Sequence, residues 1–216
     1  DDLKILIMSA TLDSEPLIKL LGAARVRSEG RSWPIEIIHM EGEIATNCSA
    51  PMAVAIAKAA QETTGDILAF LPGVREIEQV MNQLTQQLTQ LQIFPLHGRL
   101  KPAEQRLALQ KSDKRKLILT TNIAETSLTI DGIGTVVDSG LCRQPCFDPA
   151  SGLTRLATTR ISQASSTQRA GRAGRQGPGA CYRLWSEGAQ ANLLPQTPPE
   201  IRSADLAPLA LDLCSW

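Results

Sequence analysis

Short apolar runs alternate with longer stretches of helical spacing along nearly the whole chain, and this alternation constrains the fold more than any other feature. Strands are expected at Leu3–Met8, Ile35–His39, Ile67–Leu71, Ile93–Leu96, Lys116–Thr121, Thr135–Asp138 and Ala180–Trp185. Helices are expected over Asp13–Leu21 with Gly22 as its stop, over Ser49–Thr63, and from Val74 to Leu91 after the Pro72-Gly73 turn. Further helices are expected over Pro102–Gln110 and Gln163–Arg175. Arg143–Ala157 reads as an irregular hairpin, Ala189–Glu200 as a loop, and Ala204–Leu213 as the start of another helix. Strands separated by helices of about ten residues or more imply βαβ units. The expected fold class is therefore α/β, a mostly parallel sheet with helices on both faces. Such sheets carry their sites at the carboxyl ends of the strands. That directs attention to the residues following Leu71, Leu96, Thr121 and Asp138.

The chain has 216 residues, of which 43% are apolar, enough for a substantial core. Aromatic residues make up 3%, which argues against an aromatic-lined platform for sugars or bases. Lys+Arg and Asp+Glu both number 22, so net charge points to no partner. The distribution is more telling. No acidic residue falls between Pro149 and Ser186, whereas Arg155, Arg160, Arg169, Arg172, Arg175 and Arg183 all do. Such a stretch is either an anion-facing surface or a solvated basic face. The cysteines are Cys48, Cys142, Cys146, Cys181 and Cys214, an odd count without a CxxC pair. They signal neither a disulfide framework nor a zinc site, and a reducing, cytoplasmic setting is expected. No apolar run is long enough to span a membrane, and no signal peptide opens the chain. Its start at Asp1-Asp2-Leu3, without Met, suggests a fragment.

The strongest local signal is QRAGRAGR, Gln168–Arg175. On a helix, Arg169, Arg172 and Arg175 would fall within an arc of roughly 120°, at about 100° per residue. Gly171 and Gly174 interrupt the same helix, at about 1 kcal/mol each relative to alanine, so another element or a ligand is expected to approach closely. Arginines of this kind suit a polyphosphate, because each offers fixed, bidentate, permanently charged donors; a basic surface helix is the other reading. A second signal is TTNIAETSLTI, Thr120–Ile130, directly after a strand. Its hydroxyl, amide and carboxylate groups can bond phosphates, sugars or one another. Ser9-Ala10-Thr11 and His97-Gly98 also follow strands and are weak signals alone. No G-x-x-x-x-G-K-[ST] run occurs, and no Asp-Glu-x-His quartet to hold magnesium.

Ser9–Thr11, Thr121–Ile130 and Gln168–Arg175 resemble motifs III, V and VI of the DEAH/RHA helicases of superfamily 2, in order and in spacing. Phe147–Leu156 followed by Arg160–Ser165 resembles the bacterial HrpB-type subgroup. The resemblance implies a RecA-like fold without its own phosphate loop. It divides the chain into the end of a first RecA-like domain (residues 1–30), a second RecA-like domain (31–199) and the start of a winged-helix region (200–216). ATP, with Mg2+, would bind mainly on the missing first domain, in the cleft between the two. Arg172 and Arg175 would be arginine fingers and Gln168 would hold the attacking water, while Arg169 would be structural or a secondary nucleotide contact. Ser127 would join phosphate to nucleic acid and Asp131 would meet the ribose. Thr121, Asn122, Thr129, Arg143 and Arg155 would lie along RNA or single-stranded DNA, with Leu141–Ala157 as the hairpin beside the translocated strand.

One departure stands out. Many DEAH relatives place an aromatic after the Gln-Arg pair that is Gln105-Arg106 here, where it stacks on the nucleotide base; this chain has Leu107 and Ala108. Weak base selectivity is the expectation. The implied activity is ATP-dependent translocation by the whole protein, with this portion inactive alone. The alternative is a non-catalytic nucleic-acid-binding or scaffold module that keeps the same shape. A nuclease would need clustered carboxylates, which the sequence lacks.

Overall fold

The computed structural model describes residues 4–7, 14–22, 24–26, 33–126 and 128–216. Ser9-Ala10-Thr11 and Ser127 lie outside the described residues. The chain divides into two compact units, residues 1–31 and 32–216. In the first, helix α1 (Ser14–Leu21) ends where expected, and Gly22 follows it at φ 60° with its amide on the Ile18 carbonyl at 2.9 Å. The strand expected at Leu3–Met8 is not present over the described residues 4–7, whose side chains are exposed. An apolar run becomes a strand only where a partner ladder receives it.

The second unit is built on one parallel sheet. Its strands are β1 (Ile35–His39), β2 (Asp66–Phe70), β3 (Gln92–Leu96), β4 (Lys116–Thr120), β5 (Ile133–Asp138) and β8 (Gly179–Arg183), in the spatial order β1-β8-β5-β2-β4-β3. Every pairing in it is parallel. The most apolar runs occupy the centre, as strands buried on both faces must. Pro95 lies in β3, an edge strand, where its missing N–H leaves no ladder bond unmade.

Successive residues of each strand face opposite layers. Ile67, Ala69, Leu117, Leu119, Val137 and Tyr182 pack with helices α2 (Ser49–Glu62) and α3 (Val74–Leu84) on one side. Leu68, Phe70, Ile118, Val136 and Cys181 pack on the other with α4 (Pro102–Leu109), α5 (Ile123–Thr126) and α6 (Gln163–Ala170). The result is a three-layer α/β fold of RecA type, as the sequence predicts. Lys116 opens β4 with a buried ammonium. It donates to the Ala108 and Gln110 carbonyls at 3.1 and 2.8 Å, capping the end of α4.

Four further expectations change. Helix α3 stops at Leu84 rather than Leu91: Thr85 turns its hydroxyl onto the Met81 carbonyl at 2.7 Å, and the chain bends. Leu88 and Leu91 remain buried through the bend, so their helical spacing in the sequence reflects the core and not a helix. Arg143–Ala157 is not irregular. It belongs to a regular antiparallel hairpin of β6 (Leu141–Asp148) and β7 (Leu153–Arg160), turned at Gly152 with φ 65°. Residues 189–200 are not all loop, since α7 (Glu187–Ala191) forms there. The terminal helix, α8 (Ala207–Cys214), starts three residues later than expected. No described helix is long and apolar enough to cross a membrane.

Candidate nucleotide and nucleic-acid site

The segment after β4 and the segment containing α6 meet at the carboxyl ends of the central strands. Glu125 on α5 joins them. Its carboxylate accepts from the Ser165 hydroxyl at 2.6 Å and from Arg169 Nε at 3.0 Å. Its main-chain carbonyl accepts from Arg172 Nε and Nη2 at 3.1 and 2.6 Å. Further along, Gln176 closes the far end, donating to Asp131 Oδ1 and accepting from the Gly132 amide, both at 2.8 Å.

The expected helix over Gln163–Arg175 ends at Ala170. Beyond it, Arg172 and Ala173 amides reach back three residues, to the Arg169 and Ala170 carbonyls at 3.1 and 3.0 Å, the tighter turn common at helix ends. The three arginines therefore do not form one row. Arg169 points inward, Arg172 lies against the Glu125 and Leu128 carbonyls, and Arg175 is exposed. The approach inferred from the glycines is real at Gly174, where a Cβ would sit 2.7 Å from Ile35 Cγ1 and 2.8 Å from the Trp33 carbonyl oxygen. The approaching group is β1 and the residues before it.

Arg169 is 1% exposed and donates to Asp138 Oδ1 at 2.8 Å and to the Leu141 carbonyl at 3.1 Å, besides Glu125. Its guanidinium carbon lies 4.9 Å from the centre of the Phe70 ring. Burial works against its charge, but Asp138 and Glu125 outweigh this and hold its pKa above the ordinary value. Asp138 is fully buried, and burial pushes its carboxyl up against the pull of Arg169. Its second oxygen, Oδ2, has no hydrogen-bond partner. Arg169 and Asp138 thus form a buried ion pair. Removing one partner of such a pair costs about 3–5 kcal/mol.

Arg172 is 3% exposed and also donates to the Leu128 carbonyl. Burial, and then the neighbouring charge of Arg175, lower its pKa to about 10. A desolvated guanidinium beside a second one is relieved by an anion. Gln168 precedes them on α6.

The remaining candidates separate. Thr121 is half-buried, while Asn122, Thr129 and Arg155 are exposed. Arg143 is engaged elsewhere. It donates to both Glu76 oxygens at 3.0 and 3.2 Å and lies over Gly73, where a Cβ would meet its guanidinium at 2.6 Å. Between α5, the base of the hairpin and α6 lies a cleft of about 180 Å³ lined by Asn122, Thr126, Gln144, Ser165 and Thr197 among others. Leu107 is 56% exposed on α4 and Ala108 is buried. Among the described residues no cluster of His, Cys, Asp or Glu is placed to hold a metal ion. Sequence reasoning left the joining roles of Glu125, Asp138 and Gln176 unassigned. Asp138 carried a signal, an acidic residue closing an otherwise apolar strand.

Comparison with known proteins agrees with this architecture. Residues 51–177 match the helicase conserved C-terminal domain. The chain is 46% identical to the ATP-dependent RNA helicase HrpB of Escherichia coli, over 100% of this chain and 27% of that protein. It is 40% identical to the pre-mRNA-splicing factor ATP-dependent RNA helicase prp22 of Schizosaccharomyces pombe, over 95% of this chain and 19% of that protein. Two crystal structures of E. coli HrpB, one described as a DExH-box NTPase and one as a DEAH/RHA helicase, superpose with TM-scores of 0.90 and 0.93 at 45% identity. They cover 100% of this chain and 27% and 28% of those chains. The chain thus spans roughly a quarter or less of the length of these relatives. Its motifs, its sheet and these matches agree: the chain belongs to the helicase conserved C-terminal domain family, in the branch of the DEAH/RHA proteins of HrpB type.

Proposed function

We propose that this chain is the second RecA-like half of an ATP-dependent RNA helicase, supplying the arginines that complete a nucleotide pocket. Residues 1–30 would end the first RecA-like domain, 31–199 form the second, and 200–216 begin a winged-helix region. The observation that carries the reading is the closure of Glu125, Leu128 and Asp131 onto Ser165, Arg169, Arg172 and Gln176. It seats Arg172 on the Glu125 and Leu128 carbonyls and leaves Arg175 exposed beside it. Phosphoryl transfer depends mainly on positioning and charge stabilisation. Guanidiniums delivered from a second domain meet the phosphates only when the cleft closes, which couples hydrolysis to domain motion.

In this reading Arg172 and Arg175 contact the triphosphate, Gln168 the attacking water, and Asp131 the ribose, with Ser127 linking nucleotide to RNA. Arg169 holds the arrangement from inside. Thr121, Asn122, Thr129 and Arg155 face the RNA strand, while Arg143 fixes the hairpin through Glu76. ATP would be held mainly by the other RecA-like domain. Magnesium is assigned to that domain too, because no group of His, Cys, Asp or Glu among the described residues fits it. A cytoplasmic setting accords with five unpaired thiols. Three of these, Cys48, Cys142 and Cys181, are buried; burial raises Cys48 to about 11 and Cys181 to about 12 and keeps those two neutral.

The test is Arg175→Ala in the full-length protein. Turnover should fall about 10³-fold or more, with ATP affinity changed by less than about threefold. Turnover within about tenfold of the parent would refute the assignment.

A further inference from the structure

The reading above asks Arg172 to present its guanidinium in one orientation, yet nothing on its own helix fixes it. The helix ends at Ala170, and Arg172 lies two residues beyond, in a turn. A free arginine side chain carries about 2 kcal/mol of rotamer entropy. Here the orientation is set by main-chain carbonyls, those of Glu125 and Leu128. Those carbonyls sit on and just after α5, which is four residues long. A single turn of helix does not hold itself in water, because nucleation is costly and too few bonds follow. Its placement must come from outside.

The Glu125 side chain supplies that placement. One carboxylate oxygen takes Ser165 at the start of α6, and the other takes Arg169 near its end. The two bonds run from α5 to α6, and the Arg172 bonds run back from α6 to the Glu125 carbonyl. The loop is closed: α6 fixes Glu125, and Glu125 fixes the residue beyond α6. Arg169 is itself held from beneath by Asp138, which also accepts from the Gly140 amide at 2.9 Å. It is held from the side by the Leu141 carbonyl, the first residue of the hairpin. We infer that Glu125 is the positioning residue for Arg172, its carboxylate fixing the carbonyls on which the finger is seated.

The inference rests on the proposed role of Arg172 and Arg175, so its test carries a control for that role. In the full-length protein, single-turnover ATP hydrolysis and ATP binding are measured for Glu125→Ala, Glu125→Gln, Arg172→Lys, Arg175→Ala and the Glu125→Gln/Arg172→Lys double variant. Arg169 keeps Asp138 when Glu125 is changed, and the glutamine retains an acceptor, so Glu125→Gln preserves the fold even where Glu125→Ala does not. The expected result is a loss of at least about tenfold in the rate constant for Glu125→Gln, with ATP affinity within about threefold. In the double variant the two losses are not multiplied, because both act through one guanidinium. A Glu125→Gln rate equal to the parent's, or losses that multiply in the double variant, would overturn the inference. If Arg175→Ala hydrolyses ATP normally, the reading of the site fails. If it is inactive while Glu125→Gln is not, only the positioning role fails.

Discussion

Arg169 and Arg172 stand three residues apart and meet opposite surroundings. Arg169 is buried among carboxylates and a ring, and Arg172 is buried among carbonyls with a second arginine beside it. The first is paired with two carboxylates, whereas the second donates to the Glu125 and Leu128 carbonyls. His97 shows the same logic at the end of β3. It is 8% exposed and its Nδ1 has no partner. Burial, and then Arg99, lower its pKa below the usual 6.5, against the opposite pull of Glu78 and Glu104. A depressed folded pKa contributes stability that is present above the unfolded value near 6.5 and is lost as pH falls through the folded one. Proton NMR of the imidazole should therefore find the His97 midpoint below 6.5; a midpoint at or above it would contradict this environment. The arginine triplet was legible in the sequence, but the fates of its members were not. They depend on Glu125 and Asp138, which lie 44 and 31 residues from Arg169.

Among the elements, those buried on two faces were the most legible. β2, β4 and β5 stand out as apolar runs because no side of them meets water. Helix ends were less so. In α3 the leucine spacing continues past the end of the helix, since a bent chain can bury Leu88 and Leu91 as well as a straight one. Just beyond α6, the close approach that the glycines signal is met at Gly174, where the chain passes β1. That close passage predicts a definite effect. Gly174→Ala would place a methyl group against the Trp33 carbonyl and the Ile35 side chain, and backbone cannot rotate away. Unfolding by denaturant should show a loss of about 1–3 kcal/mol. Unchanged stability would mean that this contact is looser than described. The hairpin was legible as a hairpin, but not its regularity. Pro145, Asp148-Pro149 and Ser151-Gly152 look like breaks, while the antiparallel pairing runs without a gap from Leu141↔Arg160 to Asp148↔Leu153. Pro145 is tolerated there because the sheet has only two strands, so every strand is an edge.

For the molecule as a whole, the parallel sheet gathers the two motif-bearing segments at one end, because every βα crossover returns the chain to the same side. The alternation of runs made that arrangement readable from sequence. What sequence could not supply is the closed circuit between α5 and α6, whose bonds join residues far apart in the chain. This circuit is proposed to present a guanidinium pair to a triphosphate bound mainly by another domain. The most direct measurement is a crystal structure of the full-length protein with a non-hydrolysable ATP analogue and magnesium. The account predicts Arg172 and Arg175 guanidinium nitrogens at about 2.7–2.9 Å from phosphate oxygens, with the Glu125 bonds to Ser165 and Arg169 still in place. A bound triphosphate with both guanidiniums turned away from it would contradict the account.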